Sequence, residues 1–221
     1  HTLKSLSDEN PYIHSFATNQ TMLEDSVFLQ ELEITDVQEL YLGIRNVLSR
    51  GEVFEGRVAY GIVTNFAHFI RYDIENYNRF SIAYVDKNVK QLHVNANYSK
   101  KINEIISLNT NADYFNWDVS IYHKPNLTVD VNAPINLRDK IKVAPAISYI
   151  GEKKVINNVN TDYIFYDIPS QIHVNLGVHY SYSKQLSAYF QLNNLSNSKQ
   201  DLWFGYREVG FNGAFGVNFS F

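Results

Sequence analysis

The chain has 221 residues, no cysteine and a formal net charge of −4. That length holds one β domain or barrel, and the charge leaves no basic footprint for nucleic acid. The missing cysteine excludes a disulfide framework, a thiolate metal site and a catalytic thiol within these residues, and no run reaches the roughly 18 apolar residues of a membrane helix.

Residues 1–26 carry no firm pattern and are expected to be an irregular N-terminal segment. Strands are expected over 27–34, 38–48, 53–63 and 67–74, joined by short links. Leu40, Leu42 and Ile44 alternate with polar or small neighbours, as do Val58, Tyr60 and Ile62. Phe80, Ile82 and Tyr84 share parity with Leu92, Val94, Ala96 and Tyr98. That stretch reads either as one strand over 78–99 or as a hairpin turning at Asp86-Lys87-Asn88. The two readings give about eleven or twelve strands, and single-chain bacterial barrels use even numbers.

From residue 92 onward the alternation is regular, and side chains of a strand point to opposite faces at every second residue. Ile106, Leu108, Thr110, Ala112 and Tyr114 oppose Ser107, Asn109, Asn111 and Asp113. Leu127, Val129 and Val131 oppose Thr128, Asp130 and Asn132. Ile141, Val143, Ile147 and Tyr149 follow, then Ile172, Val174, Leu176, Val178 and Tyr180 against His173, Asn175, Gly177 and His179. Leu186, Ala188, Phe190 and Leu192 form the next row. The last is Phe211, Phe215, Val217, Phe219 and Phe221 against Asn212, Ala214, Gly216, Asn218 and Ser220. Pro134 falls at a strand end, where a lost N–H matters least. Pro145 falls mid-strand, where a bulge is expected.

The connections also alternate. Ser99-Lys100-Lys101, Leu137-Arg138-Asp139 and Ser183-Lys184 are tight, whereas residues 115–125, 151–170 and 195–209 are long. Short turns at one end and long loops at the other are the asymmetry of an outer-membrane barrel, with turns in the periplasm and loops outside. The expected fold is therefore all-β, an antiparallel transmembrane outer-membrane β-barrel over residues 27–221, with 211–221 as the closing strand. Sixteen Tyr and fourteen Phe would supply aromatic girdles. A soluble β-sandwich is the alternative, since it also favours these residues, but it would mix loop lengths at both ends.

On this reading the polar rows face the lumen. Asn95, Asn97, Asn109, Asn111, Asn132 and Asn175 are neutral donors and acceptors. Together with Asp113, Asp130, His173 and His179 they are the ligand-facing candidates inside; simple hydration of the lumen explains the same residues. His173 and His179, six apart on one strand, lie roughly 20 Å from one another and cannot share an ion, so no metal site is expected. Trp203 and Tyr206 lie in a long loop and are candidates for a ligand platform at the mouth. Trp117 is expected in the outer aromatic girdle. No Gly-x-Ser-x-Gly, His-Glu-x-x-His or phosphate-loop motif occurs, so neither an enzyme nor a cofactor is expected.

Three segments carry a resemblance: Glu39-Leu-Tyr-Leu-Gly-Ile-Arg-Asn46, Tyr122-His-Lys-Pro-Asn126, and Gln191-Leu-Asn-Asn-Leu-Ser-Asn197 with Leu202-Trp-Phe-Gly-Tyr206, Gly210-Phe-Asn212 and the terminal Phe221 after it. From about residue 37 onward the chain resembles the C-terminal part of TonB-dependent-receptor-like outer-membrane proteins of the Bacteroidota type. The resemblance implies outer-membrane localisation and binding and import of a nutrient ligand. It also implies contacts with outer-membrane lipid, with the barrel-assembly machinery through the C-terminal strand ending at Phe221, with TonB, and with a surface lipoprotein. Full receptors of this kind resemble barrels of about 22 strands with an N-terminal plug, and no plug is visible here. The chain is expected to be the C-terminal portion of a longer protein. The alternative is a plugless scaffold barrel that holds partner proteins in an envelope complex.

Overall fold

The computed structural model describes residues 2–4, 33–74, 77–138, 140–159 and 162–220. Among them are seventeen strands and no helix. In chain order these are β1 (Thr2–Lys4), β2 (Thr35–Ser49), β3 (Glu52–Thr64), β4 (Ala67–Ile74), β5 (Tyr77–Tyr84) and β6 (Val89–Lys101). Next come β7 (Ser107–Trp117), β8 (Leu127–Asn132), β9 (Ile135–Leu137), β10 (Ile141–Ile150), β11 (Lys153–Val159) and β12 (Asp162–Ile168). The last are β13 (Gln171–Ser181), β14 (Leu186–Asn193), β15 (Asp201–Trp203), β16 (Tyr206–Arg207) and β17 (Asn212–Phe219).

Eleven strands form one sheet in the order β1-β2-β3-β6-β7-β8-β10-β13-β14-β17, with β9 also on β10. Every neighbour pair in it is antiparallel. The sheet stays open at β1 and β17 among the described residues. Its count matches the lower expectation, but with a different membership. β4 and β5 were expected in the barrel and instead belong to a second, four-stranded sheet, ordered β12-β11-β4-β5. Residues 78–99 are neither one strand nor a hairpin: β5 pairs with β4, β6 pairs with β3 and β7, and residues 85–88 separate them. Residues 151–170, expected as a long loop, fold into the β11–β12 hairpin. β11 joins β4 in parallel through Asn157 beside Arg71.

The strand expected over 27–34 lies outside the described residues except for 33 and 34, which precede β2. Of the segment expected to be irregular, Thr2–Lys4 pairs with Thr35, Asp36 and Val37, and the rest lies outside, as does Phe221.

The bulge expected at Pro145 is not there. β8 meets β10 with Asn132 beside Ala146, and β9 resumes with Ile135 beside Val143, so the register runs through unchanged. Ala133 and Pro134 interrupt the ladder opposite Pro145, and Ala133 N still donates to Pro145 O at 3.1 Å. Pro134 O accepts from Ser107 N at 3.1 Å, so the missing N–H of Pro134 faces β7 and that of Pro145 faces Ala133, and neither loss adds a residue to the ladder.

Antiparallel partners share a face. Leu42 lies beside Val58, Val58 beside Val94, Val94 beside Tyr114, and Tyr114 beside Leu127. The row is taken up by Val131, Ile147 and Val174, then by Leu176 and Leu192, then by Phe190 and Phe215. Nothing among the described residues packs over this apolar face: Leu40 is 81% exposed, Leu42 80% and Phe215 81%. A sandwich would bury such a face against a second sheet. The buried core sits elsewhere, at the long-loop end. There Val63, Phe66, Val89 and Ile121 cluster, with Trp117 and Val119 against them. Phe69, Ile70, Val155, Ile156 and Ile168 of the four-stranded sheet are buried too.

Candidate functional site

The other face of the main sheet gathers the polar candidates. Glu55, Asn97, Asn111, Asp130, Ser148 and His173 form one cross-strand row over six strands. Asn109, Asn132, Ala146 and Asn175 form the next. Side-chain amides are neighbours at the spacing of paired strands and bond one another. Asn111 Nδ2 donates to Asn97 Oδ1 at 2.7 Å, and Asn97 Nδ2 to Asn95 Oδ1 at 2.7 Å. Asn109 Nδ2 donates to Asn132 Oδ1 at 2.9 Å. Asp113 Oδ1 accepts from Asn95 Nδ2 at 2.9 Å and lies 2.8 Å from His93 Nε2. Ser148 Oγ donates to Asp130 Oδ1 at 2.5 Å. Asn97, Asn109, Asn111, Asp130 and Asn132 line a concavity of about 230 Å³. Each amide spends only part of its hydrogen-bonding capacity within the row, so the face can still donate to and accept from a passing ligand.

Seven of the sequence candidates therefore meet in one patch: Asn95, Asn97, Asn109, Asn111, Asp113, Asp130 and Asn132. The others are spread out. Asn175 Oδ1 accepts from Asn194 N at 2.9 Å, which fixes the exit from β14. His173 Nε2 lies 2.9 Å from Glu208 Oε2. His179 sits beside Lys142 and Tyr189, towards the short-turn end. No group of three or more metal-ligating side chains gathers among the described residues.

Trp117 is not in an outer girdle. It shares parity with Asp113 and Phe115 and so stands on the polar face, beside Gln91. Its Nε1 donates to Gln91 Oε1 at 2.9 Å. Its ring stacks on Phe115 at 5.6 Å, and Phe115 stacks on His93 at 4.1 Å. Phe66 meets the Trp117 ring edge-on at 6.1 Å. This aromatic column joins the polar face to the core at the loop end.

Above the main sheet, the long connections fold together into a cap that the sequence did not suggest. β4 and β5 come from the β3–β6 connection, and β11 and β12 from the β10–β13 connection. The β15–β16 hairpin belongs to the β14–β17 connection. Trp203 packs edge-on against Phe69 at 5.0 Å and stacks on His123 at 4.8 Å. His68 meets Tyr122 at 5.3 Å. Trp203 is thus a packing element of the cap, while Tyr206 on β16 is exposed. Lys153 Nζ donates to Leu202 O at 2.6 Å, and Gln171 Nε2 to Asp201 O at 2.9 Å. These two bonds pin the hairpin to the starts of β11 and β13.

Burial sets the charge states here. It removes water from the imidazolium and pushes His123 down to about 4. The nearby positive charges of Lys153 and His68 add to the effect, and a bond with the Phe69 backbone opposes it. Burial also lowers His68. It lowers Lys153, against the pull of Glu208 and Asp201, and it raises Tyr122. At neutral pH both histidines are therefore neutral. A signal for part of this was in the sequence: the Tyr122-His-Lys-Pro stretch stands just before a strand. Nothing in the sequence pointed to His68 or Lys153, because short apolar runs do not say which sheet they enter.

No family model matches the chain, and no curated protein does. Solved structures do. The pyoverdine outer membrane receptor FpvA of Pseudomonas aeruginosa PAO1, bound to pyoverdine, is similar with a TM-score of 0.66 and 16% identity, over 86% of this chain and 30% of that one. A ferric enterobactin receptor, PfeA, from Pseudomonas aeruginosa is similar with a TM-score of 0.64 and 14% identity, over 86% and 32%. The copper transporter OprC gives 0.65 and 13%, also over 86% and 32%. These are receptors and a transporter rather than enzymes. The chain spans about a third or less of their length. At such low identity the likeness speaks for architecture, and the chain has the fold of part of an outer-membrane receptor β-barrel.

Proposed function

We propose that this chain forms part of the barrel of an outer-membrane transport receptor that binds a nutrient ligand at its long-loop end and passes it along the asparagine-rich face. One observation carries the reading. Along the middle of the main sheet's long strands the uncovered face is a continuous apolar row, and most of the amides, carboxylates and imidazoles stand on the other face. Hydrocarbon offers no hydrogen bonds, so a sheet greasy on one face and wet on the other suits a cylinder in a bilayer. Long loops gathered at one end suit a receptor mouth. Gating by TonB, assembly through the C-terminal strand and a covering lipoprotein follow from the resemblance, as does a Bacteroidota-type origin.

At the mouth, Tyr206 and the exposed face of the cap are the first contacts for a ligand. The Asn97, Asn111 and Asp130 row is the next. The test is uptake by the full-length protein. Cells carrying Tyr206→Ala and cells carrying Asn97→Ala with Asn111→Ala are compared with wild type for growth on iron chelates, copper complexes, oligosaccharides and peptides as the limiting nutrient. The reading expects one nutrient class to be lost when the gene is deleted or the energising protein is removed, and to be impaired by the Asn pair. Growth unaffected by gene deletion on all four classes would contradict import.

A further inference from the structure

The short-turn end carries a feature that neither the fold nor ligand import explains. The turn between β9 and β10 and the turn between β13 and β14 lie side by side, because Ser181 N donates to Lys140 O at 2.7 Å. Lys140 N donates to Leu137 O at 3.1 Å, and Arg138 takes a left-handed backbone, with φ of 51°. Ser183 Oγ accepts from the N–H groups of Gln185 and Leu186 at 3.2 and 3.1 Å. Arg138, Lys140 and Lys184 stand on these two neighbouring turns, all exposed, and no ion pair holds any of them among the described residues. Within 137–142 and 180–186 the sequence supplies one carboxylate, Asp139. The apolar face ends at the same place in Tyr180, beside Ile141, and in Tyr182, 41% and 65% exposed.

We propose that these two turns form a clamp for the headgroup of an anionic phospholipid, with the phosphodiester held by Arg138, Lys140 and Lys184 and the acyl chains lying on the adjoining apolar face. The chemistry is matched at both ends of the ligand. A guanidinium fork and two ammonium groups give a phosphate charge-assisted hydrogen bonds. Tyrosines at the border set an apolar ring towards the chains and a hydroxyl towards the headgroup. A free anion would need only the cations. The exposed aromatic and aliphatic rows leading up to them specify an amphiphile. Cationic clusters beside a membrane select anionic lipid, at about five-fold in affinity per charge.

The inference rests on the reading of the apolar face as lipid-facing, and its test separates the two. Full-length protein is inserted into nanodiscs of phosphatidylcholine alone or with increasing phosphatidylglycerol. It is then released in detergent, and retained lipids are counted by native mass spectrometry. Wild type is compared with Arg138→Gln/Lys140→Gln/Lys184→Gln and, as a control, with Lys87→Gln/Lys154→Gln/Lys199→Gln at the opposite end. The expected result is preferential retention of phosphatidylglycerol by wild type and by the control, and a loss of that preference by about five-fold or more in the first triple variant. Insertion without preference, an unchanged preference in that variant, or an equal loss in the control would overturn the clamp alone. Displacement of the lipid by inorganic phosphate at equal concentration would show a free-anion site and overturn it as well. Failure to insert into either lipid would remove the lipid-facing reading and the clamp together.

Discussion

Leu176 is the position where the face assignment can be tested most severely. It sits at the midpoint of β13, with Pro145 on one side and Leu192 on the other, in the apolar row. Its side chain loses nothing to a core, because no core covers that face. A Leu176→Arg substitution in a soluble sheet with a wet face would cost less than about 0.5 kcal/mol. In a bilayer the guanidinium must enter hydrocarbon near the midplane, at about 2–4 kcal/mol. That is roughly a thirty- to several-hundred-fold change in the folding equilibrium. Asn132→Arg is the control. It faces the opposite way and forfeits one hydrogen bond, from Asn109 Nδ2, at about 1 kcal/mol. The assay is urea unfolding of full-length protein refolded into phospholipid vesicles, followed by heat-modifiable gel migration. Leu176→Arg should shift the transition by at least about twice as much as Asn132→Arg. Equal losses, or a larger loss for Asn132→Arg, would refute the orientation.

The cap should be acid-labile. His123 titrates near 6.5 when unfolded and at about 4 when folded, so below 6.5 the unfolded chain binds more protons. Its contribution is fully present above about pH 6.5 and is lost as pH falls towards 4, at no more than about 3 kcal/mol. Protection factors of the β11 and β12 amides, taken against the intrinsic exchange rate at each pH, should fall as the pH drops through that window, and His123→Phe should flatten the dependence; protection that rises on acidification would contradict it. Lys153→Met should loosen the same cap by about 2 kcal/mol, because it strips the Leu202 carbonyl of its charged donor and removes the cation that Glu208 and Asp201 attract. Limited proteolysis within 199–209 reads this out, and unaltered protection would argue against the pinning role.

Alternation made most of the main sheet legible. Two-faced strands have one solution to the question of which side chains go where, so parity alone carried the faces from Leu92 to Phe219. The same parity also places Trp117 with Asp113 and Phe115 on the polar face. The cap was not legible, for a physical reason. Phe69 and Ile70 are both buried, as are Val155 and Ile156, so these strands are covered on both faces and carry no period of two. Their pairing is also remote: β4 and β11 meet in parallel across the β6–β10 strands that separate them in the chain. A run of apolar residues announces burial but not its partner. The polar patch was legible as a row on each strand. The hydrogen bonds among Asn95, Asn97, Asn111 and Asp113 needed the register, which sequence spacing alone does not supply.

Because the chain holds no cysteine, single cysteines at Leu176 and Asn132 can carry nitroxide labels in full-length protein reconstituted in lipid vesicles. Collision with dissolved oxygen, which concentrates in hydrocarbon, is compared with collision with a water-soluble nickel complex. The label at Leu176 should be reached by oxygen and shielded from nickel, and the label at Asn132 should show the reverse. Equal nickel accessibility at the two positions would mean that the apolar face does not meet lipid.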